Sequence, residues 1–349
     1  MAMVTITING QKLTVPDNLT ILDAANRQGI AIPNLCRHPQ LTPFGGCRLC
    51  VVEIRGALRP VASCTTPVAE GMEITTETPQ LEEHRRFVLE LILSDHPNDC
   101  MTCEATGSCQ LQELAYAYGV KGDRYAGERR KYSKRDGNPF LERDLEKCIL
   151  CGRCVKICDE VQGVEAIDFG HRGFKAKITT PYEDDLDCEF CGQCVSVCPT
   201  GALTGKLWKR KGRYEGVRET DTVCPYCGTG CNVTVHTRNN EIIRVSSKPW
   251  TWNEGLLCVK GRFGYPFVKS PERLTRPLIR RASGNFEETT WTAALEYTAS
   301  WLKKIREERG PDAIGGLSSA RCTNEENYLF QKFMRAGIST NNVDHCARL

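Results

Sequence analysis

Two stretches of this chain repeat one another: CILCGRCVKIC at 148–158 and CEFCGQCVSVC at 188–198. Each places two residues between successive members of a cysteine trio and three residues before a fourth cysteine, and Pro199 follows the second copy. Two copies of one pattern mark a duplicated unit, here spanning 140–212. Three close thiolates grip three corners of a cubane, and a fourth beyond the turn reaches the other cubane. The spacing thus predicts two [4Fe–4S] sites with crossed ligation: Cys148, Cys151 and Cys154 with Cys198, and Cys188, Cys191 and Cys194 with Cys158. Soft thiolates suit iron–sulfur clusters or zinc, but zinc sites draw on paired C-x2-C units without this crossing.

The chain has 21 cysteines in 349 residues. A disulfide framework belongs to small secreted domains. This chain is long, its cysteine number is odd, and its start, MAMVTITING, alternates like a strand without the basic and apolar runs of a signal peptide. Metal binding in a reducing compartment, the cytoplasm, is the expectation. No stretch is long and apolar enough for a membrane span. A net charge of +3 from 46 basic and 43 acidic residues gives no case for nucleic acid.

Three further groups complete the pattern. Cys36, Cys47, Cys50 and Cys64 lie in a β-rich frame, where four ligands suit a [2Fe–2S] cluster or zinc and the frame favours the cluster. Gly45-Gly46 would let the backbone come close to it. The spacing resembles that of the [2Fe–2S] domain that begins the large iron–sulfur subunit of respiratory complex I. His96, Cys100, Cys103 and Cys109, H-x3-C-x2-C-x5-C, resemble the His-ligated [4Fe–4S] site of the same subunit and of many iron-only hydrogenases. A lone histidine is more often a surface or capping residue, but here it precedes three cysteines that lack a fourth ligand. Cys224, Cys227, Cys231 and Cys258, in CPYCGTGC and CVKGR, resemble the N-terminal [4Fe–4S] domain of molybdenum/tungsten bis-pterin oxidoreductases, with a zinc ribbon as the rival. Lys260 matches a lysine that the resemblance puts between cluster and pterin, as an electron relay and cofactor-binding residue; an ordinary exposed lysine is the alternative. Cys322 and Cys346 are left over, and a free buried thiol is the default for each.

The expected fold is α+β and multidomain. Residues 1–78 form a β-grasp [2Fe–2S] domain: Val4–Ile8 and Lys12–Val15 flank the turn pair Asn9-Gly10, and Thr20 caps a helix over Ile21–Gln28. Val51–Ile54 and Leu58–Val61 read as a hairpin around Gly56. Residues 79–118 form a helical His-ligated [4Fe–4S] domain: Thr78-Pro79 opens a helix that ends near Ser94 with Leu81, Val88, Leu91 and Ile92 as its buried stripe, and Gln110–Tyr118 is a second helix. A basic linker, 119–139, is a solvated loop or a docking surface. The 2×[4Fe–4S] ferredoxin-type domain follows at 140–212, then a basic stretch from Lys206 to Arg218. The pterin-type [4Fe–4S] domain spans 219–274. Residues 275–349 begin an α/β unit, with a helix from Trp291 to Glu308, a strand at Ala313–Leu317 and a helix at Glu325–Ala336.

Taken in order, these segments resemble the N-terminal part of the catalytic subunit of NAD(P)-linked, selenocysteine-type formate dehydrogenases. The stretch GLSSARCTNEENYLFQKFMRAGISTNNVDHCARL resembles the family segment that leads into the metal-ligating residue, so a selenocysteine encoded by UGA is expected next after Leu349. The resemblance implies one [2Fe–2S] and four [4Fe–4S] clusters, with molybdenum or tungsten bis-molybdopterin guanine dinucleotide in the full-length protein. Electrons would pass from the Cys224 cluster through the ferredoxin pair and the His-ligated cluster to the [2Fe–2S] domain. It implies a hetero-oligomer with flavin/NAD(P)-reducing iron–sulfur subunits, or with a hydrogenase or ferredoxin. A complex I large subunit or a stand-alone electron-transfer module are the alternatives.

If all five sites fill, anaerobically reconstituted protein should contain roughly 18 iron and 18 sulfide per chain. Stoichiometric zinc with little sulfide would refute the cluster reading.

Overall fold

The structure, a computed structural model, describes residues 2–125, 127–132, 137–208 and 216–346. The basic stretches expected at 119–139 and Lys206–Arg218, and the last three residues of the terminal segment, lie in part outside the described residues. The chain divides into two compact units: Met1–Thr220, Val235–Ser246 and Leu256–Arg262 in the first, and Asp221–Thr234, Ser247–Gly255 and Phe263–Leu349 in the second.

The first unit opens with an antiparallel hairpin, β1 (Met3–Ile8) and β2 (Gln11–Pro16), in register Ile8↔Gln11. Asn9 and Gly10 both have positive φ, 49° and 82°, the geometry of the two-residue turns whose twist matches that of the strands. The Asn9 side chain also reaches across the sheet, donating to the Thr76 hydroxyl and accepting from the Thr76 N–H. Helix α1 (Ile21–Arg27) starts where Thr20 accepts from the Asp23 N–H. It buries Ile21, Leu22, Ala24 and Ala25 against Ile6, Ile8, Val52 and Ile74. Each fully buried Ile or Leu contributes about 1.5–3 kcal/mol. Strands β3 (Val51–Ile54), β4 (Val61–Ala62) and β5 (Glu73–Thr75) complete a five-stranded sheet in the order β2-β1-β5-β3-β4. One helix packed on a mixed sheet fits a β-grasp arrangement.

Helix α2 (Pro79–Asp95) begins at the Thr78 cap, as its sequence indicates. Its buried face matches the expected stripe only in part: Leu81 is buried, and Val88 and Ile92 pack against the core from its edge. Leu81, Arg85, Leu89 and Leu93 are buried, whereas Leu91 is 45% exposed and Val88 and Ile92 are half-buried. The buried row runs strictly at i, i+4 and includes a charge that no apolar pattern would select. The Arg85 guanidinium donates to the carbonyls of Leu49, Val51 and Thr76 and pairs with Glu82 at 2.8 Å. It thereby ties α2 to the loop that carries Cys47 and Cys50. Helix α3 (Gln110–Ala117) follows, ending before Gly119.

In the next segment β6 (Leu141–Arg143) pairs antiparallel with β9 (Leu203–Gly205), closing the start of the repeat onto its end. Between them lie α4 (Arg153–Lys156), the hairpin β7 (Asp168–Gly170) and β8 (Lys177–Thr179), and α5 (Gln193–Val197). Residues 218–246 carry three strands, β10 (Arg218–Val223), β11 (Asn232–Arg238) and β12 (Glu241–Ser246), with β11 central. A short helix, α6, covers Val259–Phe263.

In the second unit β13 (Leu278–Arg280) and β14 (Phe286–Glu288) form a hairpin before α7 (Trp291–Arg309), capped by Thr290. The following strand, β15, is Gly316–Ser318, later and shorter than expected. Helix α8 (Asn324–Lys332) has a full capping box from Thr323 and Glu326. Strand β16 (Val343–His345) pairs parallel to β15. Two parallel strands joined through a helix make a β-α-β connection, with Ile314, Met334 and Ile338 as its core.

Replacing Arg85 by Ala should lower stability by about 3–5 kcal/mol, because carbonyls and Glu82 lose a buried partner. Thermal unfolding followed by circular dichroism would check it; a change under about 1 kcal/mol would show that Arg85 holds nothing.

Candidate iron–sulfur ligand sites

Cys36, Cys47, Cys50 and Cys64 converge. The Cys47 N–H points at the Cys36 sulfur at 3.5 Å and the Leu35 N–H at the Cys47 sulfur at 3.4 Å. Hydrogen bonds from the Cys47 and Cys64 thiols hold Cys36 far down, at about 2, against the effect of burial. The Cys64 thiol brings Cys50 to about 6. Cys47 and Cys64 are pushed up because they are the donors in these contacts. Four sulfurs sharing protons this closely are a donor set in which iron can replace protons. Gly45 has φ 69°, so glycine is required there, and a Cβ would approach the Thr65 methyl to 3.0 Å.

The repeat is a repeat in three dimensions. Leu150 and Phe190, at matching positions, both have positive φ, 54° and 50°, and Gly152 and Gly192 follow at 74° and 70°. Non-glycine residues adopt this region at a cost of about 1–2 kcal/mol. What it achieves is the same in each copy: the Leu150 N–H donates to the Cys148 sulfur at 3.4 Å and the Phe190 N–H to the Cys188 sulfur at 3.3 Å. Cys148, Cys151 and Cys154 line one cavity with Cys198 from the other copy, closed by Ile149, Ile167, Ile178 and Leu203. Cys191 and Cys194 lie close enough to Cys158 and Cys188 to feel their charge. Burial raises Cys148 to about 11 and Cys151 to about 12, and it raises Cys154, Cys188, Cys191 and Cys194 as well.

His96 caps the C-terminal end of α2 and is only 7% exposed. Its Nε2 is buried without a hydrogen-bond partner, an arrangement that ordinarily carries a desolvation penalty. Burial also lowers its pKa, which favours the neutral imidazole that ligates metals. The Asn98 N–H approaches Nδ1 at 3.3 Å; a ligating Nε2 would move the ring proton to Nδ1 and displace that contact. Cys103 and Cys109 both feel the Cys100 charge, and burial raises Cys103 and takes Cys109 to about 11. Gly201, three residues beyond Cys198, leaves room for this group: a Cβ there would stand 2.4 Å from the Cys103 sulfur. A buried imidazole nitrogen without a partner, four residues before Cys100 in the chain, fits a cluster ligand.

Of the fifth group, Cys224, Cys227 and Cys231 lie in the second unit and Cys258 in the first. The Cys224 N–H donates to the Cys231 carbonyl at 2.8 Å, and the Tyr226 hydroxyl donates to Gly264. Lys260 is exposed on α6. Cys322 and Cys346, expected as buried thiols, are both exposed: the helix that follows Cys322 buries none of its residues, and Cys346 contacts the Ser319 hydroxyl at 3.3 Å. None of the 21 cysteines is in a disulfide. Among the described residues no three His, Cys, Asp or Glu side chains are arranged to hold a single metal ion.

The first four ligand groups share walls. Cys47, Cys109 and Ile149, one from each of three segments, pack on one apolar core with Leu35, Leu49, Leu89 and Leu111. Leu41 packs on Ile157 and Val197, and Phe44 stacks on Phe169 at 5.6 Å. The Cys36 loop therefore adjoins the Cys148 site as well as the His96 site. Side chains next to the Cys36, His96 and Cys148 groups thus meet on shared apolar cores.

Cysteines grouped at cluster spacings, many of them desolvated and some with backbone N–H groups aimed at sulfur, define an iron–sulfur protein. Comparison with known proteins agrees. Residues 1–79 match the 2Fe-2S iron-sulfur cluster binding domain, 85–124 the NADH-ubiquinone oxidoreductase-G iron-sulfur binding region, and 138–204 the ferredoxin-like domain of NADH-quinone oxidoreductase subunit 3. Residues 217–270 match the molybdopterin oxidoreductase Fe4S4 domain and 273–349 the molybdopterin oxidoreductase family. The chain is 44% identical to the NADPH-Fe(3+) oxidoreductase subunit alpha of Geobacter sulfurreducens and 40% identical to a G-type subunit of the NADH-quinone oxidoreductase of Rhizobium meliloti. Each alignment covers 99% of this chain and 40% of the relative, so the chain spans about two fifths of their length. A chain of an NAD+-reducing [NiFe]-hydrogenase crystal structure superposes with TM-score 0.57 at 32% identity, over 61% of this chain and 92% of that one. The chain belongs to the iron–sulfur oxidoreductases: it joins iron–sulfur domains of the NADH-quinone oxidoreductase-G type to the N-terminal region of a molybdopterin oxidoreductase.

His96→Ala should remove one cluster, about four iron atoms, and leave the others. His96→Cys should keep that cluster and shift its potential, since ligand charge changes. Iron analysis with an EPR redox titration reads both; if neither substitution alters any signal, His96 is not a ligand. Loading should also depend on pH. A thiol must lose its proton to bind iron, and below its pKa the thiolate fraction falls tenfold per pH unit. The Cys148 site, where burial holds Cys148 and Cys151 at about 11 and about 12, should reconstitute further at about pH 8.5 than at about pH 6.5. The Cys36 site, with two thiols already acidic, should respond less. Equal pH dependence at all sites would contradict this.

Proposed function

We propose that this chain is the electron-transfer portion of an NAD(P)-linked formate dehydrogenase, with one [2Fe–2S] and four [4Fe–4S] clusters on the ligand sets described. The observation that carries the conduit reading is the shared core of Cys47, Cys109 and Ile149, which joins three ligand groups without intervening solvent. The formate reading is supported by the segment from Gly316 to Leu349, which resembles the approach to the metal-ligating residue in selenocysteine-type members, and by the molybdopterin oxidoreductase match over 273–349. Molybdenum or tungsten on bis-molybdopterin guanine dinucleotide supplies the formate chemistry when bound; formate gives carbon dioxide, a proton and two electrons. The part of this chain is to receive those electrons one at a time. Lys260, two residues after Cys258, places a cation beside the first thiol set. Ile149, Ile167, Ile178 and Leu203 would keep water from a cluster held by Cys148, Cys151, Cys154 and Cys198. The partners proposed are flavin/NAD(P)-reducing iron–sulfur subunits, or a hydrogenase or ferredoxin.

A second reading is favoured by the relatives' names. One is an NADPH-Fe(3+) oxidoreductase subunit and another an NADH-quinone oxidoreductase subunit, and both align over 99% of this chain. Most of the ending TNNVDHCARL falls within those alignments, so it does not separate the two readings. The longer protein that contains this chain, purified anaerobically, decides between them. Formate should bleach its iron–sulfur absorbance, and metal analysis should find molybdenum or tungsten. Reduction by NADPH or NADH without response to formate, and without either metal, would overturn the formate assignment and leave the conduit.

A further inference from the structure

Among the described residues of the first unit, two arginines are buried without a carboxylate partner. Arg153 is 4% exposed, its Nη1 donates to the Gln110 side-chain oxygen at 3.0 Å, and its Nε has no partner. Arg262 is 1% exposed, its Nε donates to the Cys191 carbonyl at 2.9 Å and its Nη2 to the Gln193 side-chain oxygen at 2.8 Å. Other buried cations differ: Arg85 has Glu82, and Lys147 has Asp99 at 3.1 Å and Asp144 at 3.2 Å. A buried guanidinium without a counter-ion is strongly disfavoured, so its partner must come from elsewhere.

The charges that face them are thiols. Arg153 is faced by Cys151 and Cys198 of one ferredoxin site and by Cys36 and Cys47 of the [2Fe–2S] site. Arg262 is faced by Cys191 and Cys194 of the other ferredoxin site and by Cys258. Their placement follows the duplication. Arg153 and Gln193 occupy the same position of the two copies, between a left-handed glycine and the third cysteine. In the first copy the guanidinium is part of the repeat; in the second a glutamine stands there and receives the guanidinium from residue 262. In each case a glutamine oxygen and cluster thiols replace the missing carboxylate.

We infer that Arg153 and Arg262 are fixed counter-charges of the electron path, each shared by ligand sets of two adjoining domains, and that each raises the reduction potentials of both clusters it faces. The inference rests on the ligand assignments above. One-electron reduction makes a cluster more negative by one charge, no proton moves, and a permanent cation nearby stabilises the reduced form. Burial keeps salt from screening the effect. Pairing one cation with two clusters also couples them, so both should shift together.

The test is an EPR redox titration of the reconstituted chain with dithionite, the [2Fe–2S] signal being separable from the [4Fe–4S] signals by its slower relaxation. Arg153→Gln should lower the midpoints of the [2Fe–2S] cluster and of one [4Fe–4S] cluster. Arg262→Gln should leave the [2Fe–2S] midpoint unchanged and lower two [4Fe–4S] midpoints. Lysine at either position should restore most of each shift. If the glutamine variants load clusters and the midpoints stay, or only one cluster of a pair moves, the inference fails. If a glutamine variant does not load while its lysine counterpart does, charge is what the site needs and the inference stands. If neither loads, the arginine is a packing element and the inference fails. Unmodified protein that takes up no clusters would instead overturn the ligand assignments.

Discussion

Burial of sulfur is the constraint on which the rest of this protein depends. A thiol in an apolar wall keeps its proton, as at Cys148 and Cys151, because a desolvated thiolate is costly and a second one beside it repels the first. Several parts of the chain answer that cost. Backbone N–H groups turn toward sulfur at Leu150 and Phe190, at the expense of left-handed backbone. Guanidinium groups come to lie beside thiols instead of carboxylates. The set around Cys36 is the exception: Cys47 and Cys64 donate to Cys36, and Cys64 to Cys50, so two of the four are acidic before any metal arrives.

The same constraint decides how segments join. A cluster site with one open wall would admit water, and several ligand loops of the first unit are closed by a neighbour. Arg85 holds the Cys47–Cys50 loop by its carbonyls. Gly201 allows the second copy of the repeat to lie against Cys103. The Gln110 N–H, next to Cys109, donates to the Pro199 carbonyl at 3.0 Å, next to Cys198. Contacts of this kind bring ligand groups from distant parts of the sequence against a common core.

Much of the local structure was legible beforehand. The caps at Thr20 and Thr78 and the Asn9-Gly10 turn carry their own short-range chemistry, and the elements they start or join appear where those residues stand. Reading failed where a side chain's environment came from elsewhere. The stripe on α2 was assigned by hydropathy, which passes over Arg85 and accepts Leu91. The helix instead turns the face on which Arg85 satisfies the carbonyls of Leu49, Val51 and Thr76. Cys322 and Cys346 were assigned by the average habit of cysteine, and their surroundings proved open.

What the sequence alone determined is the inventory: which residues are ligand candidates, their grouping by spacing, and the duplication that predicts crossed sets. Those depend on covalent distance, and a few bonds between cysteines fix how far apart their sulfurs can be. What only the tertiary structure decided is adjacency. The lining of one cavity by Cys148, Cys151, Cys154 and Cys198, the orphaned Nε2 of His96, and the meeting of Cys47, Cys109 and Ile149 each bring together residues from separate parts of the chain. No spacing rule encodes them, because they arise when separate segments exclude water from one another and each must then satisfy the polar groups the other has buried.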